Sequence, residues 1–346
     1  CMAEVVFPQG LLWGTATSAH QVEGNNTHND WWAREQAGRV KEPSGLACDH
    51  YRRFREDFDL AAQLGHTTHR FSIEWSRIEP QEGVFDEAAL AHYQDVVRAL
   101  RERRIEPIAT LHHYTNPLWL AAKGGWTNPK VVEYFARYTQ RVVDALGDQV
   151  RYWLTINEPM VYAVTHYLDG EGPPGEHNVM LVFRVIEHLV RAHAASYHAI
   201  HQTAKSRGAQ AQVSLAMHAQ PFLPCRRWWL GDRLMAALTQ RIYNFRFLDA
   251  LIEGRLRLPG RGTVRIAEAQ DSLDFIGLNY YSRMFLRMGV RDRTQWWGVR
   301  CSTRHHREVT ERNALDWDVY PQGIYDVIRW AVPYDRPVLI TENGIC

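Results

Sequence analysis

Short apolar runs alternate along the chain with longer segments whose apolar residues recur at helical spacing. The runs are rich in β-branched and aliphatic residues and predict buried strands, while the spaced segments predict amphipathic helices. The predicted strands cover residues 11–19, 69–75, 105–113, 150–157, 212–217, 273–281 and 337–341. The predicted helices cover residues 49–64, 86–104, 179–205, 232–253 and 321–330, and one more begins near Pro129. Regular alternation of strands and helices predicts a parallel sheet or a barrel.

Two of the helix starts carry a local signal. Asp49 is an expected N-cap, because an aspartate side chain accepts hydrogen bonds from the free N–H groups of a first turn. Pro129 suits a first turn, where its missing N–H leaves no bond unmade.

Polar or aromatic residues follow each predicted strand, and this distribution favours a barrel over an open sheet. They are Gln21, the segment 70–75, His112, His113, Asn157, Glu158, His218, the segment 279–281 and Glu342. A doubly wound sheet binds ligands with two or three loops at one switch point. A (β/α)₈ barrel builds its mouth from all of its βα-loops. We therefore expect a TIM barrel, with the loosest stretches, 170–177 and 287–312, as loops at the mouth.

The composition is that of a globular protein with a substantial core. The 346 residues are 45% hydrophobic, and a barrel of this size can form a single domain over residues 1–346. A net charge of +1 argues against nucleic acid or a membrane surface as the main partner. The 13 tryptophans stand beside polar residues, where aromatic faces suit sugar rings, although core packing should account for about half of them or more.

The five cysteines are Cys1, Cys48, Cys225, Cys301 and Cys346, and no pair has C-x-x-C spacing. They predict reduced thiols in a cytoplasmic protein, with neither a disulfide framework nor a zinc site. The N-terminus lacks a leader pattern, and no apolar run reaches membrane-spanning length. Cys1 ahead of Met2, and Cys346 close behind the last motif, suggest the edges of a fragment.

Two glutamates close apolar runs. Glu158 ends the strand-like stretch LTINEP at 154–159, and Glu342 lies in VLITENG at 338–344. A carboxylate at the end of a core strand is costly to bury unless it is paired or used in chemistry. Two of them at the mouths of two strands predict an acid/base and nucleophile pair.

The order and content of six motifs resemble glycoside hydrolase family 1, the β-glucosidase family. Besides the two glutamate motifs, they are FPQGLLWGTATSAHQVEG at 7–24, HRFSIEWSRI at 69–78, LHH at 111–113 with GWTNP at 125–129, and DFIGLNYY at 274–281. The resemblance extends from Phe7 to Gly344, and chance does not account for so many motifs in one order. It implies a (β/α)₈ barrel and a retaining β-glycosidase that needs no metal or cofactor and acts on a β-glycoside or oligosaccharide.

The resemblance also assigns roles. Glu158 corresponds to the acid/base and Glu342 to the nucleophile, with carboxyl groups ~5–5.5 Å apart and environments that favour opposite protonation states. Arg70 and Tyr281 correspond to the partners of the nucleophile. Gln21, His113 and Asn157 correspond to the subsite that holds the sugar. Asn279 is expected among these substrate-binding residues, where it organises the nucleophile side. Because the adjacent His112 and His113 have no carboxylate partner at metal spacing, we expect no metal site there.

The chain departs from the family pattern in two places. Tyr114 follows His113 where the family commonly has Trp, so the resemblance says less about the preferred sugar. The pattern also ends soon after Glu342, before the family's last helix, eighth strand and final helix. Two alternatives to a β-glucosidase stay open at this point. One is a 6-phospho-β-glycosidase, and the other is a non-catalytic barrel fragment that forms homo-oligomers or needs a complementing C-terminal segment.

Overall fold

The computed structural model describes residues 7, 9–289 and 298–345. Seven parallel strands form one sheet in chain order and curve into a nearly closed barrel. They are β1 (Gly14–Ala16), β2 (Thr68–Ser72), β3 (Glu106–His112), β4 (Tyr152–Asn157), β5 (Gln212–His218), β6 (Ile276–Tyr280) and β7 (Val338–Asn343). The prediction of seven strands in an α/β TIM-barrel fold is confirmed, with strand ends shifted by a few residues.

The helices lie between the strands. They are Ala19–Val22, Asp30–Gln36, His50–Gln63, Trp75–Ile78, Glu87–Glu102, Leu118–Ala122, Val131–Leu146, Pro159–Tyr167, Val179–Ser206, Leu230–Glu253 and Gln322–Ala331. All six predicted helices are present. None of the helices in the described ranges is long and apolar enough to cross a membrane.

Two details of the helix starts differ from expectation. Asp49 precedes its helix in the left-handed region, at φ 52°, and its side chain makes no cap hydrogen bond. An N-cap side chain reaches the first turn from extended backbone, and this conformation points it elsewhere. Pro129 lies outside the helix, which begins at Val131 after Lys130. By contrast, the Asp86 carboxylate accepts from the N–H groups of Ala88 and Ala89, at 2.8 and 3.0 Å.

The sequence did not predict the smaller β-structures. A three-stranded sheet has the order Val299–Arg300, Met284–Arg287, Phe222–Pro224, and a hairpin joins Arg255–Leu258 to Gly262–Arg265. These strands are two to four residues long, too short for a periodic signal. The segment 287–312 was expected to be a loop, but it contains one of these strands; its residues 290–297 lie outside the described ranges.

The prediction that the cysteines are reduced is wrong for two of them. Cys225 and Cys301 form a disulfide, although 76 positions separate them in the sequence. The small sheet brings them together, because each cysteine directly follows one of its outer strands. Cys48 is a free, exposed cysteine.

The middle strands of the barrel are buried, and the edge strands are not. All five residues of β2 are buried, whereas all three residues of β1 are exposed and β7 is mostly half-buried. Gly14 permits β1 to approach β2 closely, since a Cβ at that position would lie 1.9 Å from the carbonyl oxygen of Thr68. The two edges of the sheet thus keep unpaired backbone groups among the described residues.

Candidate active site

The two glutamates are presented at the carboxyl ends of their strands. Glu158 directly follows β4 and precedes Pro159, the first residue of a helix. Its backbone has a φ of 44°, a conformation that costs a non-glycine residue of the order of 1 kcal/mol. The Glu158 N–H donates to the carbonyl of Ala216 at 2.7 Å, which holds the turn in place. Glu342 lies near the end of β7. In a parallel barrel, both positions face the same mouth.

Two groups bind the carboxylate of Glu342. The Arg70 Nη1 lies 2.5 Å from one oxygen, and the Tyr281 hydroxyl donates to the other at 2.5 Å. The Arg70 side chain is 2% exposed, so water screens this ion pair little. Burial, followed by the charge of Glu342, raises the pKa of Tyr281 and keeps the phenol protonated as a donor. Both partners stabilise Glu342 as an anion.

Arg70 itself is held on its other sides. Its Nε donates to the Thr110 hydroxyl at 3.0 Å, and its Nη2 donates to the Asn157 Oδ1 at 2.6 Å. Thr110 belongs to β3 and Asn157 to β4. The guanidinium is therefore positioned by neighbouring strands as well as by its ion pair.

Asn279 connects this cluster to Glu158. Its Nδ2 lies 2.9 Å from Glu158 Oε1 and 3.2 Å from Asn157 Oδ1. The Thr341 hydroxyl donates to the Asn279 Oδ1 at 2.6 Å, which fixes the amide so that its NH₂ group faces Glu158. One hydrogen-bonded chain of side chains thus joins both glutamates across four strands of the barrel, β2, β4, β6 and β7.

The second partner of Glu158 is Tyr114, which the sequence did not single out as a site residue. Its phenol hydroxyl donates to the Glu158 Oε2. Burial, with the nearby charge of Glu158 as the next cause, raises the pKa of Tyr114 well above its usual value. Among the described residues, the hydrogen-bond partners of this carboxylate are Tyr114 and Asn279, and both are neutral. The sequence offered one signal of this contact, because Tyr114 stands where the family commonly has Trp.

His113 and Asn157 lie side by side, as their common assignment to the sugar subsite implies. The Asn157 Nδ2 is 3.2 Å from the His113 Nε2. Burial, with the Arg70 charge as the next cause, lowers the pKa of His113 well below its usual value, so the ring is neutral. The buried His113 Nδ1 has no hydrogen-bond partner within the described parts of the chain. A substrate hydroxyl is the kind of group that such an atom can bind.

Gln21 is less closely tied to the cluster. Its side chain is exposed, and its Oε1 accepts from the Ser18 hydroxyl at 2.6 Å. Nothing in the described structure links it by a hydrogen bond to either glutamate. His112 is buried, and its Nε2 lies 3.1 Å from the Asn116 Oδ1.

A cleft of about 850 Å³ opens beside Glu158 and Tyr281. Such a volume suits a small organic ligand. Its wall includes both acidic and aromatic groups, among them Asp169, Glu171 and Trp317.

The sequence profile described as Glycosyl hydrolase family 1 matches residues 3–346. Beta-glucosidase A of Thermotoga maritima is 30% identical over 98% of this chain and 78% of its own length. The beta-glycosidase structure from Pyrococcus horikoshii is 37% identical, with a TM-score of 0.89, over 98% of this chain and 76% of that one. A beta-glucosidase structure from Thermotoga maritima in complex with deoxynojirimycin is 30% identical, with a TM-score of 0.87, over 98% and 78%.

The barrel carries two linked carboxylates at its mouth, and the similar proteins are glycosidases. Together these findings define the protein as a glycoside hydrolase. The chain belongs to glycosyl hydrolase family 1, and it is a β-glycosidase of the retaining type. The resemblance drawn from the motifs is confirmed.

Proposed function

We propose that this protein hydrolyses terminal, non-reducing β-D-glucosyl residues by a double displacement in which Glu342 is the nucleophile and Glu158 the acid/base. The observation that carries the assignment is the contrast between the partners of the two carboxylates. Glu342 has the cation of Arg70 at 2.5 Å, whereas Glu158 has the neutral Tyr114 and Asn279. A nucleophile must be an anion when the substrate binds, and an acid must hold a proton.

In the first step, an oxygen of Glu342 attacks the anomeric carbon, and a covalent glycosyl-enzyme forms. The bond to the leaving group breaks as Glu158 transfers its proton to the departing oxygen. In the second step, Glu158 as a carboxylate removes a proton from water, and that water displaces Glu342 from the sugar. Tyr114 suits both protonation states of Glu158, because a phenol hydroxyl can donate to a carboxylate and accept from a carboxyl group.

We assign His113, Asn157 and Gln21 to sugar binding. Asn157 is held by Arg70 and faces His113, so it is pre-positioned for a hydroxyl next to the reacting carbon. A hydrogen bond to that hydroxyl stabilises the transition state more than the ground state, because charge develops on the sugar in the transition state. Gln21 can bind two neighbouring hydroxyls, since its amide both donates and accepts.

The preference for a glucosyl unit is supported by the relatives named Beta-glucosidase A and beta-glucosidase in complex with deoxynojirimycin. Galactosyl and fucosyl residues differ from it at one or two hydroxyls, and we include them as further substrates. A 6-phospho-β-glycosidase would instead prefer a substrate with a charged phosphate group on the sugar, so substrates with and without that phosphate distinguish the two functions.

The experiment compares 4-nitrophenyl β-D-glucoside, β-D-galactoside, β-D-fucoside and β-D-glucoside 6-phosphate as substrates. Proton NMR of the first turnovers identifies the anomer released. We expect the unphosphorylated glucoside to be cleaved with a higher kcat/KM than its 6-phosphate, and β-glucose to appear before α-glucose. Preference for the phosphate would overturn the substrate assignment, and α-glucose appearing first would overturn the double displacement.

A further inference from the structure

The small three-stranded sheet carries a second group of reactive side chains. Cys225 and Cys301 lie at the ends of its two outer strands, and both donate their backbone N–H to the central strand. The Cys225 N–H bonds to the Leu286 carbonyl at 2.7 Å, and the Cys301 N–H bonds to the Phe285 carbonyl at 2.8 Å. Their disulfide therefore spans the central strand. Backbone hydrogen bonds of the sheet thus help to hold both cysteines in position, in addition to the bond between the sulfurs.

His306 completes the group. Its Nε2 lies 3.8 Å from the Cys225 Sγ, and the two sulfurs and one ring nitrogen lie within 4.8 Å of one another. The imidazole is 8% exposed and stacks on Phe285, with ring centroids 3.7 Å apart and planes 14° apart. Its other nitrogen, Nδ1, is 3.7 Å from a carboxylate oxygen of Glu308.

We propose that reduction of this disulfide creates a binding site for one Zn²⁺ ion, formed by the thiolates of Cys225 and Cys301 and by the Nε2 of His306. Two thiolates and one imidazole are a donor set that zinc prefers, with a water molecule as the fourth ligand. The reductant is a dithiol, which gives two electrons and two protons to the disulfide and becomes a disulfide itself. Zinc then displaces the two thiol protons, which pass to solvent.

The geometry requires little backbone movement. Tetrahedral coordination with zinc–sulfur bonds of about 2.3 Å places the two sulfurs about 3.8 Å apart. The Cα atoms are 6.2 Å apart, a spacing from which side-chain rotation alone can reach that separation. His306 already lies close enough to serve as a ligand, because its Nε2 is 3.8 Å from the Cys225 Sγ. Glu308 stands on the Nδ1 side, where a carboxylate orients a metal-binding imidazole.

The small sheet that carries the site forms part of the wall of the cleft, and the site itself lies outside the catalytic cluster. Phe222, Leu286 and Arg300, from all three strands of the small sheet, line the cleft that also contains Glu158. The disulfide and a bound zinc ion would therefore each link the two outer strands of the small sheet. The reduced protein without zinc has neither link.

The test uses a protein in which Cys1, Cys48 and Cys346 are replaced by Ser. Cys225 and Cys301 are then the remaining cysteines that can bind zinc together with His306. Protein treated with dithiothreitol and desalted without oxygen is dialysed against Zn²⁺ and analysed for zinc per chain. Affinity is measured by competition with a chromophoric chelator. Replacement by Co²⁺ adds a thiolate-to-cobalt charge-transfer band if sulfur binds the metal.

We expect one zinc per chain in the reduced protein and less than a tenth of that in the oxidised protein. Cys225→Ser should abolish the charge-transfer band, and His306→Gln should weaken zinc binding at least tenfold. His305→Gln is the matched control, since that neighbouring histidine is exposed, and it should leave the affinity unchanged. Near-ultraviolet circular dichroism of each variant verifies that it is folded. Absence of zinc from the reduced protein, or equal affinity in the two histidine variants, would overturn the proposal.

Discussion

The hydroxyl of Tyr114 donates a hydrogen bond to Oε2 of Glu158. Both residues have a positive φ, 72° for Tyr114 and 44° for Glu158, so each is held in a costly backbone conformation at the point where they meet. Their contact gives Glu158, the proposed acid/base, a partner that can either donate or accept a hydrogen bond. It also leaves the other oxygen of Glu158 to Asn279.

This contact predicts a lower activity for Tyr114→Phe. The substitution removes a hydrogen bond to the Glu158 carboxylate, and such a bond contributes about 1.5–3 kcal/mol. We expect kcat/KM for 4-nitrophenyl β-D-glucoside to fall by about tenfold to a hundredfold, since about 1.4 kcal/mol corresponds to a factor of ten in rate. Tyr280→Phe is the control, because that hydroxyl donates to the Tyr320 carbonyl and not to Glu158. Equal kcat/KM values for the two variants would contradict the role of Tyr114.

Substitution of Arg70 should affect both catalysis and stability. Arg70→Met removes the cation beside the partly buried Glu342 and the buried bonds to Thr110 and Asn157. We expect kcat/KM to fall by about three orders of magnitude or more. The free energy of unfolding should fall by about 3–5 kcal/mol, as for other broken buried ion pairs.

The matched control is Arg101→Met, which breaks the exposed pair with Glu106. Exposed ion pairs contribute about 1 kcal/mol or less, so its unfolding free energy and kcat/KM should change little. Urea denaturation and initial rates give both quantities for each variant. Equal effects of the two substitutions would show that Arg70 has no special role.

Glu158→Gln should separate substrates by their leaving groups. An amide cannot supply a proton, so unactivated disaccharides should lose far more activity than substrates with good leaving groups. Added azide should restore turnover and yield a β-glycosyl azide, because an anion can attack the glycosyl-enzyme without a general base. Uniform loss across leaving groups, with no effect of azide, would count against Glu158 as the acid/base.

The barrel strands were predictable because their residues are apolar enough to require burial on both faces. The runs around Ile108 and Leu154 are examples, and both residues are now in the core. The order of functional groups after those strands then predicted the mouth, and Arg70, Asn157, Asn279 and both glutamates do meet there.

The features that were missed depend on long-range contacts. Nothing near Cys225 in the sequence indicates that a strand 76 positions away will bring Cys301 to it. The role of Tyr114 depends on a turn with positive φ that directs a phenol at Glu158. A residue's type and neighbours in sequence do not determine such a contact.

Trapping the covalent intermediate would show which residue is the nucleophile, and we expect Glu342. A 2-deoxy-2-fluoro β-glucoside with a good leaving group slows both steps, and the fluorosugar accumulates on the nucleophile. In a preparation that hydrolyses 4-nitrophenyl β-D-glucoside, mass spectrometry of a protease digest should locate the label on the peptide that contains Glu342. A label on Glu158, or an inactivated enzyme with no labelled glutamate, would contradict the account.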